Sequence, residues 1–398
     1  MNEVNVLEAL SQASLSDVSQ VLSDHMRSVI KESLLRLMFE EASQLCGGFY
    51  HPDKNSKRVR AGSAKGAYTL NGVKESVVRP RVRVSGATVD GEVDLVSYKA
   101  AKNADKVRSM IIKALGSGVS SNDVGRLFPG APASSSQASR LWVKEGLAML
   151  DTLRSRDLSG EDFFCLMIDG IHLGSDVMAV AALGITTDGR KMMLDFEVGA
   201  TENKGVCDTL LRRLSKRGFK DNPERRLLVV LDGSEALSSS VIGHFHDPVM
   251  QRCVIHKERN IRSYLSKRHH GELARLFSTL RKAEGAEAGR EAVSDIRDFL
   301  KGKSKNALAS LEECGEDLIA LHVIGAPSTL NKTLLNTNCI ENAFNNVCRK
   351  IGRVKRWRSD TDQAERWMAF GMLEAEKGFR RINNSTDIGE LLEKLKRL

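Results

Sequence analysis

Two short runs constrain this chain more than anything else in its 398 residues: "FFCLMIDG" at 163–170 and "LLVVLDG" at 227–233. Each is an unbroken apolar stretch that ends in Asp and then Gly. Such a run, closed by turn residues, reads as a strand covered on both faces. A carboxylate carried on a buried strand is costly unless it meets a partner, a cation, or water at the strand's end. If the two strands are neighbours, Asp169 and Asp232 emerge together at their carboxyl ends, where open α/β sheets build ligand sites. Two close carboxylates repel unless a cation sits between them, and oxygen ligands of this kind suit Mg²⁺ or Mn²⁺. Asp-Gly is also an ordinary turn signal, and these residues alone leave both readings open.

The surrounding pattern supplies the rest of a sheet. "VMAVAALGITTDG" and "RKMMLDFEVGA" read as two more strands joined by a turn at Asp188-Gly189. "KGVCDTLLRRLSKRGF" is an amphipathic helix and "MQRCVIH" a fifth strand. Three strands, a helix, a strand, a helical piece and a strand describe an α/β fold with a mixed sheet covered by helices. The expected core is 160–256 with 336–381, split by an almost wholly helical, charged insertion at 257–335. Residues 1–50 read as an N-terminal helical region closed by "CGGF". A basic, partly β region follows at 51–102, where "VVRPRVRVSGATVDGEVDLV" suggests short strands with Pro80 near an edge. That region is either a small β module or a flexible basic arm. Residues 103–150 give a helix, a Gly-Ser turn, a short helix from Ser121 and a third helix with N-caps at Ser134–Ser136. This is the layout of a helix-turn-helix, or of a plain three-helix linker.

The formal net charge is +9, and its clustering matters more than its size. From Lys54 to Arg83 the single acid is Glu75. From Arg349 to Arg358 the chain carries Arg349, Lys350, Arg353, Lys355, Arg356 and Arg358 with no acid. Two acid-poor runs in a basic chain point to nucleic acid as partner. No apolar run approaches the ~20 residues that span a bilayer, and the N-terminus lacks the apolar core of a secretory signal. The seven cysteines have no framework spacing and are expected as reduced thiols of a cytoplasmic protein.

A third acid, Glu341, stands in "NTNCIENAFNNVCRK" in the first turn of a helix. It is either a helix-start charge favoured by the macrodipole or a metal ligand beside the basic run. Taken as ligands, Asp169, Asp232 and Glu341 suggest two-metal phosphoryl transfer, with the ions ~3.5–4 Å apart.

In order along the chain, "MIDGIHLG", "VLDGSEAL", "QRCVIHKERNI" and "NTNCIENAFNNVCRKIGRVKRW" resemble the Mutator-type transposases of bacterial insertion sequences, the insertion sequence 256 family. The resemblance is clearest from about 160 to 380. Residues 51–100 depart from the family's glycine- and arginine-rich pattern. It implies an RNase H-like catalytic core with a DDE triad of Asp169, Asp232 and Glu341 holding two Mg²⁺ or Mn²⁺ ions. It also implies a helical insertion before the glutamate, double-stranded DNA (element ends and target) as partner, and a homodimer or higher oligomer. Cleavage of one strand per end, a circular intermediate and a nucleoid-associated location follow from the same resemblance.

"CVIH" is similar to the family's Cys-x-x-His signature. Cys253 and His256 alone lack two ligands for structural zinc; His269 and His270 could be proposed to complete it, but nothing in their spacing favours them. They are expected to pack or to position DNA, with His256 beside the scissile phosphate as an alternative. Lys350, Arg353 and Arg356 are expected phosphate contacts within the run Arg349–Arg356, and Trp357 either stacks on a base or packs. Asn338 would bind substrate or cap its helix, and His172 points to the strand face opposite Asp169. Rival readings are an RNase H-like nuclease and an inactive DNA-end-binding protein.

Overall fold

A computed structural model describes residues 15–70, 73–86, 91–102, 105–127, 134–174, 177–199, 201, 203–351, 354, 357–358 and 361–397. The chain forms two compact units, Met1–Leu115 with Val119–Trp142, and Gly116–Gly118 with Val143–Leu398.

The first unit opens with a long helix, α1 (Leu15–Cys46), followed by an antiparallel hairpin of β1 (Arg58–Leu70) and β2 (Val73–Val84). These strands are longer than the short ones the sequence suggested. A short β3 (Glu92–Val93) pairs with Val82 and Arg83, so among the described residues Pro80 has no strand partner on that side of β2. The register also shifts between Arg60 and Ser63, opposite that segment, and a bulge or an open edge is where a strand tolerates proline. Leu34, Met38, Ala42 and Cys46 of α1 pack on Tyr68, Val77, Val82 and Leu95. Glu41 accepts the backbone N–H groups of Val96 and Ser97 at 2.6 and 2.9 Å, capping the exposed donors at the start of α2 (Val96–Lys102). Next along the chain come α3 (Asp105–Gly116), a turn with Gly118 at φ +90°, α4 (Ser121–Leu127) and α5 (Ser135–Ser155), of which Gly116–Gly118 and the part of α5 from Val143 belong to the second unit. Ser134 and Gln137 cap α5 reciprocally, Oγ accepting the Gln137 N–H and the Ser134 N–H donating to Oε1.

The second unit holds a five-stranded sheet in the order β6-β5-β4-β7-β8. β4 (Phe163–His172), β5 (Met178–Thr186) and β6 (Lys191–Gly199) form an antiparallel meander, with Gly189 at φ +83° in the β5–β6 turn. β7 (Leu228–Leu231) and β8 (Val249–Arg252) extend it in parallel with β4. β4 is central, which explains its apolar run. After a register shift at Phe163–Cys165, its side chains alternate between two cores. Leu166 and Ile168 enter the one built by α6 (Lys204–Lys216) and α7 (Glu235–His244). Cys165, Met167 and Ile171 enter the other. Each such buried side chain contributes about 1.5–3 kcal/mol.

On that second face lie α8 (Val254–Ser263), α9 (His270–Lys282), α10 (Gly285–Leu300), α11 (Lys305–Glu312), α12 (Ala320–Val323), α13 (Asn331–Leu334), α14 (Asn338–Ile351) and α15 (Gln363–Glu376). The apolar sides of α9–α11 belong to the same hydrophobic cluster as the sheet. Gln251, fully buried on β8, donates to the Leu318 carbonyl and accepts the Leu321 N–H. A last helix, α16 (Ile388–Leu395), buries Ile388, Leu391 and Leu395, and its Leu395 carbonyl accepts the Arg226 N–H at 2.8 Å. No described helix is long and apolar enough to cross a membrane.

Candidate active site

Parity along β4 decides where Asp169 points. It shares its face with Met167 and Ile171, so its carboxylate turns toward α8 and α14. Asp169 does not sit at the strand's wet end, as the apolar run suggested. β4 continues to His172 because β5 keeps pairing with it, Asp169 opposite Ala181. β7, by contrast, stops at Leu231, the partner of Ile168. Asp169 is therefore next to the first residue beyond β7, Asp232, and is only 5% exposed. His172 falls on the opposite parity and is exposed.

α14 supplies the glutamate. The Asn336 side chain accepts the Asn338 N–H at 2.9 Å, and the Thr337 carbonyl accepts the Glu341 N–H at 2.9 Å. Asn336 thus satisfies the first N–H of the helix. Ile340, Ala343, Phe344 and Val347 bury the helix against the sheet, leaving Glu341 in the first turn, where a negative charge suits the macrodipole.

The third group brought here is His256, on the first turn of α8. Cys253 is its N-cap and accepts the His256 N–H at 3.5 Å. Thr337 reaches both residues: its N–H and Oγ lie 3.4 and 3.5 Å from the Cys253 sulfur, and its Oγ is 3.4 Å from His256 Nδ1. The ring's other nitrogen, Nε2, lies 3.1 Å from Glu341 Oε1. Single ligand atoms of Asp169, His256 and Glu341 all lie within 4.8 Å of one another. Among the described residues this is the grouping of His, Cys, Asp and Glu that fits a metal ion.

Asp232 stands beside that grouping rather than in it. Its Oδ1 accepts the Ser234 N–H at 3.0 Å, which turns the carboxylate back onto its own loop, yet its charge still acts on Asp169. The zinc alternative does not assemble. Cys253 spends its sulfur on α8 and Thr337, and His270 bonds the Leu265 carbonyl at 3.1 Å.

The electrostatics fit a cation. Burial pushes the Asp169 carboxyl up to about 7; the charge of His256 opposes this, while Asp232 and Glu341 add to it. His256 is raised to about 9, first by its hydrogen bond with Cys253 and against the effect of burial, with Asp169 and Glu341 also favouring its charge. Burial pushes the Cys253 thiol up, but hydrogen bonds with His256 and Thr337 outweigh it and leave the thiol below its usual value. Glu341 Oε1 is buried and has no hydrogen-bond donor in line, His256 being near but misaligned. A buried carboxylate oxygen without a donor, beside two further acids and one imidazolium, is an unbalanced site that a divalent cation would complete.

The basic run after Glu341 is only partly placed. Arg349 is exposed, and its Nε donates to the Asn345 carbonyl at 3.4 Å. Arg353, Lys355 and Arg356 lie outside the described residues, as does the side chain of Lys350. Trp357 is half-buried against the core, and its Nε1 donates to the Leu173 carbonyl just past β4 at 2.7 Å. Of the two roles weighed for it, the ring here makes the packing contact. Thr337 was missed in the sequence; its only signal was a capping-type residue one position before an amphipathic helix.

A family model described as "Transposase, Mutator family" matches residues 1–381. The chain is 26% identical over 258 residues to the transposase for insertion sequence element IS905 of Lactococcus lactis, covering 62% of this chain and 63% of that protein. It thus spans less than two thirds of that relative's length. It is 24% identical over 274 residues to the transposase for IS1201 of Lactobacillus helveticus, covering 66% and 70%. With the transposase for IS256 in transposon Tn4001 of Staphylococcus aureus it shares 23% identity over 364 residues, 87% and 90% of the two chains. Together with the carboxylates at the sheet, the match over 1–381 gives the identification: this chain belongs to the Mutator family of transposases.

Proposed function

We propose that the chain is a DNA transposase of a bacterial insertion sequence that binds element ends and cuts and joins DNA through Asp169, Asp232 and Glu341. The observation that carries this is the gathering of Asp169, Glu341 and His256 ligand atoms within 4.8 Å, with Asp232 on the adjacent strand end. The strand order, a three-stranded meander followed by two parallel strands, supports an RNase H-like core. The succession of α3, α4 and α5 supports a helix-turn-helix reader, and the paired ends of an element call for at least a dimer. A cytoplasmic, nucleoid-associated location belongs to the same reading.

Asp169 and Glu341, with Asp232 alongside, would hold magnesium or manganese. Bound there, two such ions would neutralise the scissile phosphate and make a water or 3′-hydroxyl a competent nucleophile. The protein's own part is positional. Asp169 lies within β4 and Asp232 just beyond β7, and the first turn of α14 brings in the third acid. His256 holds a proton at Nε2 that offsets Glu341 until a cation arrives. Arg349, Lys350, Arg353, Lys355 and Arg356 would grip backbone phosphates without reading sequence.

The test uses purified protein, labelled duplexes covering the DNA that flanks its own gene, and Mg²⁺. Joined products from wild type, absent with Asp169→Asn, Glu341→Gln or EDTA, are expected. Nicking without joining would favour an RNase H-like nuclease. Specific binding without cleavage would favour an inactive end-binding protein, and cleavage persisting in both variants would place the active site elsewhere.

A further inference from the structure

Asp232 is followed by Gly233 at φ +110°, in the region that favours glycine. A Cβ there would lie 2.3 Å from the Arg252 guanidinium carbon, so the turn is wrapped closely around that side chain. Arg252 ends β8, directly across from Leu231, the residue before Asp232. Its Nη1 donates to the Gly233 carbonyl at 2.7 Å and its Nη2 to Glu313 Oε1 at 2.6 Å. The guanidinium is 11% exposed. Glu313 caps the C-terminal end of α11 in the helical segment, and its other oxygen lies 3.6 Å from Lys257 Nζ. Lys257 is 3% exposed and donates to the Ser310 carbonyl at 2.9 Å. A continuous line of charge-assisted contacts therefore runs from the helical segment to the backbone beside Asp232.

We propose that Arg252, braced by Glu313, is a positioning residue that sets the Asp232 turn for metal binding, so that the helical segment between α8 and α14 acts as a strut for the active site. This rests on the reading of Asp232 as a metal-binding carboxylate. Asp232 is half-exposed on a turn and stands apart from the Asp169–His256–Glu341 grouping, so nothing in the sheet alone fixes it. An arginine that fills the space over a glycine and fixes its carbonyl restrains that turn. Groups that orient metal-binding carboxylates typically change metal affinity or activity by about 10–100-fold when removed. Magnesium, with its strict octahedral demand, should feel the loss more than manganese.

The experiment compares the full-length protein with Glu313→Gln, Arg252→Lys, Asp232→Asn and, as a control, Glu312→Gln. Glu312 pairs with Arg297 on the exposed side of the same segment. Mn²⁺ binding is followed by the electron paramagnetic resonance signal of the free ion, alongside thermal unfolding, binding to an end duplex, and the Mg²⁺ dependence of nicking. Glu313→Gln and Arg252→Lys should weaken Mn²⁺ binding by about tenfold and raise the Mg²⁺ midpoint at least as much, while end binding and melting stay near those of Glu312→Gln. Near-normal nicking at saturating metal would support a positioning role. Unchanged Mn²⁺ affinity and Mg²⁺ midpoint in both variants would overturn the proposal, as would losses that only follow a fall in melting temperature. Normal Mn²⁺ affinity and nicking in Asp232→Asn would instead sink the reading of Asp232 as a ligand, a result separate from the strut itself.

Discussion

Replacing Asp169 by Asn should make the metal-free protein more stable, although the residue sits in the heart of the sheet. Its carboxyl is pushed from an ordinary 3.8 up to about 7, chiefly by burial. Folding raises this pKa, so the sign is unfavourable for the ionised form. No penalty exists below the unfolded value, and it grows as pH rises until it levels off above pH 7. At about 1.4 kcal/mol per unit, the gap amounts to about 4 kcal/mol at pH 8 and about 1.5 kcal/mol at pH 5. Asn keeps the shape and removes the charge. At about 2 °C per kcal/mol for a unit of this size, the variant should melt roughly 8 °C above wild type at pH 8 in EDTA, and only a few degrees above it at pH 5. Mg²⁺ should then raise the melting temperature of wild type and leave the variant unmoved. An Asn variant no more stable than wild type at pH 8, or an advantage that ignores pH, would refute the picture of three crowded acids awaiting a cation.

His256 titrates near 9 with its hydrogen bond to Cys253 as the leading cause, so in Cys253→Ala its midpoint, followed by NMR of the ring protons, should fall toward 6.5. A raised histidine stabilises below its unfolded value, and that contribution is lost as pH rises through the folded one. The histidine's share of stability should therefore be lost between pH 6.5 and 9 in wild type, opposed in the same range by the lowered Cys253 thiol, and both effects should be missing from the Ala variant. Gly371→Ala should separate α15 from α14, because its Cβ would lie 2.8 Å from Val347 Cγ1. A loss of about 1–3 kcal/mol in denaturant unfolding is expected, with reduced nicking because Val347 shares a helix with Glu341.

Much of the sheet was legible because β4 and β7 are buried on both faces and so are written as uninterrupted apolar runs. Glu341 was legible as a helix-start acid. The location of Asp169 inside a strand was not, since the end of β4 is set by pairing with β5 and not by the Gly that follows the acid. His256 could not be read as a neighbour of the carboxylates from spacing alone. It arrives through the α8 cap and Thr337, a contact across 81 residues. Arg252 carries no signal of its own in the sequence, and only the fold shows its guanidinium over Gly233. In the basic region only the alternation from Val77 suggests strands, because Gly and Lys break any such pattern along β1, so the long hairpin is seen only in the fold. α16 carries a 3.6-residue pattern too short to stand out, and only the fold shows its Leu395 carbonyl accepting the Arg226 N–H just before β7.

On the proposed function, Asp169, Asp232 and Glu341 form a site for a divalent cation. Its most direct test is anomalous diffraction from crystals of the protein soaked in Mn²⁺. Density is expected to bridge the Asp169 and Asp232 carboxylates or to join Asp169 to Glu341, at about 2.0–2.4 Å from the ligand oxygens, and to be absent in Asp169→Asn. Manganese bound only elsewhere, or an unchanged peak in that variant, would contradict it.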